Sequence, residues 1–334
     1  MTRTKYWKGR WLFYLSTFGI ALLFYFFPNL GEGIYGDFIY PKIRSFYDLT
    51  IHVFDESLML IFIGLMLYAL VNSFVMKGFW SGIRFLLLLF TLFYWVWGFN
   101  YFRTPLSEKL DLTFSPVSDS TRLDLTHSTL SKCIHLSEEL SLIEDEELSS
   151  LLLVNGLNMA DTLSFLSAAD LEVVPVDPPT LFLRIGISGM YFPYTGQGQY
   201  ESELGPIDKA FTMAHEWCHA AGVAPEHEAN FLAYLMCTSS ENKNIQYSAY
   251  MHLLNELLFY YKISDSTTYD QMRTRFTPIM NQHVEERKAQ FEKYSGPVSE
   301  LSDEMIDQYL QFNQQEGIQD YHRLSEYVFA WEER

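Results

Sequence analysis

One short stretch holds the residue types and spacing for chemistry. In FTMAHEWCHAAGVAPEHEANFLAYLM, residues 211–236, His215, Glu216 and His219 spell HExxH, and Glu228 follows a Gly/Pro break. On an α-helix, residues four apart share a face, so His215 and His219 can aim two imidazoles at one metal ion. Glu216 sits beside them, a carboxylate placed to take a proton from a water on that ion. This is the donor set of a Zn²⁺ hydrolase, in which a third protein ligand leaves one position open.

Two helices are needed to build such a site. Gly205-Pro206 precedes a helical segment, Ile207 to Ala221, with Asp208 in its first turn, and Gly222 marks its end. From Pro225 a second helix, Glu226 to Met236, can fold back towards the ion. Without the break, Glu228 would lie nine residues beyond His219, more than two turns up the same helix and out of reach. Glu226, His227 and Glu228 compete for the third position. Glu228 is the expected ligand because it shares a face with Phe231, Leu232 and Leu235, where the helix packs, whereas Glu226 at the helix start suits a capping or dipole role. Cys218 is rotated by roughly 100° from His219 and suits packing. Tyr250, His252 and Tyr321 are candidate stabilisers of a carbonyl oxygen.

The first hundred residues are of a different kind. Three apolar runs, at about 11–27, 58–75 and 85–102, are expected to be transmembrane helices, the first preceded by Arg3, Lys5, Lys8 and Arg10. No small-x-small cleavage site follows the first run, so it reads as an uncleaved anchor. Lys77 and Arg84 lie between the second and third runs. By the positive-inside bias the N-terminus is then cytoplasmic, and residues beyond Phe102 are expected outside the cytoplasm, at a cell or inner membrane. Up to Thr104 there are nine Lys/Arg against five Asp/Glu. The whole chain has 23 against 41, which leaves 14 against 36 beyond it, or about +4 and −22 of the net −18. Such an acidic domain repels nucleic acid and anionic headgroups. Cys133, Cys218 and Cys237 form no CxxC, and no disulfide framework is expected.

Residues 104–116 read as a linker and 117–334 as one soluble domain. Asp119 to Leu140 has helical spacing with Ser118 or Asp119 as its cap, and acidic helical segments continue to about Leu171. His127 and His135, two turns apart, read as surface or core residues. Leu181 to Ile185 is a strand candidate. Gly189 to Tyr200 reads as a hairpin that can offer an edge to an extended peptide. Helices then follow to Trp331. The expected fold class is α+β, mostly helical with a small sheet.

Several separated motifs carry a resemblance. EHEANFLAYL resembles the segment that supplies the third zinc ligand in bacterial ImmA/IrrE-type metallopeptidases, whose glutamate before Ala-Asn corresponds to Glu228. IYPKIRSFY, WGFNYFRTPL, GMYFPYTG, HEWCHAAGVAPEHEANFLAYL and GIQDYHRLSEYV together resemble the bacterial membrane family catalogued as domain of unknown function 3810. That resemblance implies N-terminal spanning helices and a zincin-like HExxH domain with peptidase chemistry. Trp217 and Cys218 fill the middle of HExxH, where small aliphatic residues are commoner.

The expected function is a membrane-anchored zinc metallopeptidase acting on a peptide or protein substrate. His215, His219 and Glu228 would hold Zn²⁺, and Glu216 would be general base. The alternative is a non-catalytic membrane receptor or scaffold with structural zinc. An intramembrane protease is disfavoured, because Asp208, Lys209, Glu226, Glu228 and Asn230 flank the motif too closely for a spanning helix.

Overall fold

Helix starts follow local chemistry. The Ser118 hydroxyl accepts from the Thr121 amide at the start of the helix Asp119–Ser137, and Asn242, Asp265 and Thr277 cap the helices beginning at Lys243, Ser266 and Pro278. Each cap satisfies an amide that the first helical turn leaves without an intrahelical partner. The computed structural model describes residues 3–51, 54, 56–313, 315 and 323–334, with side chains from Trp11 on, and these are mostly helical.

In chain order the elements are α1 (Arg3–Phe26), α2 (Pro28–Gly31), a π-helical stretch (Glu32–Ile39), α3 (Tyr40–Thr50), α4 (Met59–Lys77), α5 (Phe79–Val96) and a 3₁₀ turn (Gly98–Phe102). Then come α6 (Leu106–Lys109), α7 (Asp119–Ser137), α8 (Asp145–Thr162), β1 (Val174–Pro175), α9 (Leu181–Arg184), β2 (Gly189–Phe192) and β3 (Gln197–Tyr200). The C-terminal third holds α10 (Lys209–Ala220), α11 (Glu226–Thr238), α12 (Lys243–Ser264), α13 (Ser266–Arg273), α14 (Pro278–Tyr294), α15 (Pro297–Phe312) and α16 (Leu324–Glu332). The sheet runs β1–β3–β2, with β1 parallel and β2 antiparallel to β3, so that Tyr191 faces Gly198 and Val174 faces Gln199. The α+β class and the hairpin agree with the sequence. Leu181 to Ile185 does not form the expected strand: it holds the short helix α9, with Phe182 fully buried.

Two helices, α4 and α5, are long and apolar enough to cross a membrane, and the apolar part of α1, Trp11–Phe26, is shorter. Only Gly78, at φ 87°, separates α4 from α5. Leu65, Leu67, Val71, Val75, Phe79 and Trp80 are all more than half exposed, an apolar surface that water disfavours. The third apolar run is corrected in position. The helix starts at Phe79 and ends at Val96, and the chain turns inward at the buried Trp97 into a 3₁₀ turn with Phe99 and Asn100 buried, rather than extending the span to residue 102. α1 meets this end of α5: Phe13 stacks on Trp95, Thr17 Oγ1 accepts from Trp95 Nε1 at 2.8 Å, and Phe24 meets Phe99 edge-on.

One apolar core links both ends of the sequence. Phe24, Tyr35, Tyr40, Trp97 and Phe99 belong to the same buried cluster as Phe211, Trp217, Phe231 and Tyr327. The stretch 104–116, read as a linker, carries α6 and buries Leu106, Leu110 and Leu112 in that cluster. A second cluster joins α7 to α12, with Leu130, Cys133, Tyr247, Met251 and Leu254 buried between them. Cys133, Cys218 and Cys237 are free and buried, and His127 and His135 are exposed.

Candidate metal centre

The centre is made where α10 ends and α11 begins. Gly222 takes φ +96°, a left-handed conformation that a residue with a Cβ rarely adopts. The chain reverses there, and the first turn of α11 comes back against the last turn of α10. His215 Nε2 and His219 Nε2 lie 2.9 Å apart. Glu226 Oε2 lies 3.0 Å from the first and 3.4 Å from the second. All three residues are buried.

These separations suit one ion. Ligand atoms about 2.0–2.2 Å from a tetrahedral zinc stand roughly 3.3–3.6 Å from one another, close to the spacing here. His219 Nδ1 donates to the Val223 carbonyl at 2.7 Å, so in the neutral imidazole Nε2 would be the nitrogen that offers its lone pair to a metal. Asn230, one turn beyond Glu226, hydrogen-bonds the His215 ring. Among the described residues no fourth His, Cys, Asp or Glu joins the group, and an ion held by these three alone would have a position open to water.

The third residue is therefore Glu226, and Glu228 lies elsewhere. Glu228 Oε1 accepts from the Leu106 amide at 2.7 Å, at the start of α6, and burial pushes its carboxyl up to about 7 against the pull of Leu106, Lys109 and Arg103. His227 turns to a third side, its ring 5.4 Å from that of Tyr327. The physical reason is that α11 is enclosed all round: Ala229, Phe231, Leu232, Ala233, Met236 and Cys237 are at most 1% exposed. Sharing a face with Phe231 and Leu232 thus does not single out the face towards the histidines. Proximity to the Gly222 turn does, because the first residue of α11 lies nearest the end of α10.

Glu216, next to His215 on α10, packs against β2 and β3 within electrostatic range of His219 and Glu226. A Cβ on Gly189 would stand 2.6 Å from Glu216 Oε1, so β2 can approach the carboxylate only through a glycine. The Tyr191 amide of β2 hydrogen-bonds Glu216, while Glu216 Oε2 is buried without a hydrogen-bond partner. Burial raises the Glu216 carboxyl to about 8, against the pull of His219. Burial also opposes charge on Glu226, but His219 and His215 more than reverse it and hold its carboxyl well below the usual range. A dication at the focus would lower the Glu216 value towards neutrality, the range that serves a general base.

Residues outside the motif hold the joint. The Arg103 guanidinium donates from Nη1 to the Gly222 carbonyl at 3.0 Å and from Nε to Glu32 at 3.1 Å, and Lys109 Nζ meets Glu32 at 2.7 Å. Tyr40 donates to the Ala220 carbonyl at 2.9 Å. Trp97 Nε1 donates to the His219 carbonyl at 3.3 Å. The segments flanking the apolar helices thus form the wall of the site. Their sequence signal was present: Arg103 is the lone charge in WGFNYFRTPL, and Tyr40 begins YPKIRSFY. The unusual Trp217 has a local cause, since it is buried and its Nε1 donates to the Ala169 carbonyl at 3.0 Å.

Two of the three expected carbonyl-oxygen stabilisers have partners elsewhere. His252 stacks on Phe211 and lies 3.1 Å from Asp208, Tyr250 packs on Tyr234, and Tyr321 lies outside the described residues. A different hydroxyl comes near. Tyr309 of α15 meets the Tyr101 hydroxyl at 3.1 Å and lies within electrostatic range of Glu226.

A family model described as "Protein of unknown function (DUF3810)" matches residues 35–329. No curated protein and no solved structure matches the chain.

Proposed function

With residues 35–329 of 334 covered, the chain belongs to the DUF3810 family, and from that premise we propose that it is a membrane-anchored, zinc-dependent metallopeptidase with a zincin-like site. The observation that carries the reading is the convergence of His215 Nε2, His219 Nε2 and Glu226 Oε2, with Glu216 Oε2 unpaired beside them. Two imidazoles and a carboxylate suit Zn²⁺. When bound, the ion lowers the pKa of water and polarises a carbonyl.

The chain's own residues supply the rest. Glu216 takes the proton of the attacking water and passes it to the leaving amine. β2 is an outer strand, and its Tyr191 amide touches Glu216. An extended peptide pairing along β2 passes that carboxylate, with backbone bonds setting its register. Tyr309 supplies the hydroxyl for the developing oxyanion.

Glu216→Gln should keep stoichiometric zinc and lose about 10²- to 10⁴-fold in kcat/KM on a peptide library. Cleavage equal to the unsubstituted protein removes Glu216 from the mechanism. Tyr309→Phe should lower kcat by about 10- to 100-fold at unchanged zinc content, and an unaltered kcat assigns the oxyanion to another group.

α4 and α5 serve as a membrane hairpin with Lys77 and Arg84 near its cytoplasmic turn. Residues before α4 and after α5 then share one side, as their common core requires. That side is extracytoplasmic. α1 as a third crossing returns Arg3, Lys5, Lys8 and Arg10 to the cytoplasm.

A further inference from the structure

Helix α15 presents an apolar surface that the core leaves uncovered and that meets the metal centre only at Tyr309. Val298, Leu301, Met305, Tyr309 and Phe312 recur at steps of three and four and are 62, 57, 64, 40 and 66% exposed. At about 100° per residue they fall within an arc of roughly 80°. A second face is enclosed, with Ser299 and Leu310 buried and Ser299 and Asp303 set against Gly186. The third face carries Glu300, Glu304 and Asp307, and the helix has no Lys or Arg. Protein covers the second face and water suits the third. The first needs an apolar medium.

The end of the helix identifies that medium. Phe312 meets Phe90 and Tyr309 meets Phe93, each pair with ring centroids 6.4 Å apart. Phe90 is 51% exposed and lies on α5, a helix fit to cross a bilayer. The stripe therefore runs into the lipid-facing surface of α5. From Val298 to Phe312 it extends for about 21 Å, the footprint of a helix lying in the membrane plane. Its acidic outer face has no attraction for anionic headgroups, so apolar burial alone holds it there.

We propose that α15 lies in the bilayer interface, with Val298, Leu301, Met305 and Phe312 among the acyl chains, and that the metal centre beside it cleaves polypeptide segments held at the membrane surface. The substrate class rests on the peptidase reading; the seating of the helix does not. The centre is close to the bilayer for two reasons: Trp97, the residue after α5, touches His219, and α15 itself brings Tyr309. In the reaction, water gives its hydroxyl to the acyl carbon and its proton to the departing amine as the C–N bond breaks.

The test uses the full chain in phosphatidylcholine nanodiscs. Native cysteines are buried, so a nitroxide can be placed singly by Leu301→Cys, Met305→Cys or Glu304→Cys. At 301 and 305, oxygen should relax the label more than a water-soluble nickel chelate does, with the reverse at 304. The same response at all three positions overturns the seating. In the second arm, one fluorogenic peptide is supplied free or acyl-anchored to the disc. The anchored form should show at least a tenfold higher kcat/KM. Leu301→Ser with Met305→Ser should abolish that advantage and leave the free peptide's rate unchanged. Equal rates for the two peptides overturn the substrate class. Cleavage of neither overturns the peptidase reading, and the class with it, while the nitroxide result still decides the seating.

Discussion

Glu226 and Glu228 stand two positions apart on α11, about 200° around its axis, so only one of them can face the histidine pair. Glu226 does, and Glu228 turns to the Leu106 amide. Their replacements should separate cleanly. Glu226→Ala should abolish stoichiometric zinc. Glu228→Ala should keep the metal and lose about 1–3 kcal/mol of stability, because the Leu106 amide is left buried without an acceptor. Metal analysis and denaturant unfolding of both variants check this, and zinc loss in Glu228→Ala alone would restore Glu228 as the ligand. The sequence named the residue type and the neighbourhood. It did not name the position, since a helix enclosed on every side carries no apolar stripe to orient it.

At the level of elements, the site depends on one reversal between α10 and α11 and on what braces it. Gly222 at φ +96° makes the turn, and a Cβ there would stand 2.8 Å from Arg103 Nη1 and 2.9 Å from the Tyr40 ring. Gly222→Ala should therefore cost about 1–3 kcal/mol, from the left-handed conformation and the displaced brace together. Zinc affinity should weaken with it, because Glu226 follows the turn. A thermal melt and a zinc titration measure the two effects, and wild-type values in both would show that the joint tolerates a side chain. The break at Gly222 was legible in the sequence as a helix stop. Its bracing by Arg103, Glu32 and Tyr40 was not, since those contacts join residues that lie 119, 71 and 180 positions apart.

For the whole molecule, the common core of Tyr35, Tyr40, Trp97, Phe211 and Trp217 keeps the segments before α4 and after α5 together, so they would share one side of any bilayer that the α4–α5 hairpin crosses. The proposed topology follows the positive-inside bias, with Lys77 and Arg84 in the cytoplasm and the metal centre outside. Single cysteines at the exposed positions Ser266 and Met76 provide the check. A membrane-impermeant maleimide added to intact cells should label Ser266→Cys and spare Met76→Cys; the opposite pattern inverts the topology.

Periodic and local information was enough for the helices beyond Ser118, the β2–β3 hairpin, the Ser118 cap and the HExxH face, because each rests on neighbours within about a turn or a strand pair. The end of α5 was misplaced for the converse reason. Trp97 and Phe99 are apolar enough to prolong a span, and only the core waiting for them turns the chain inward. α9 stands where a strand was expected because five residues of local sequence do not distinguish a helical turn from a short strand. The carboxylate that joins the histidine pair, the wall that the segments flanking α4 and α5 build around it and the approach of Tyr309 were decided by tertiary structure. They join segments remote in sequence, and no residue spacing encodes the direction in which two packed helices face each other.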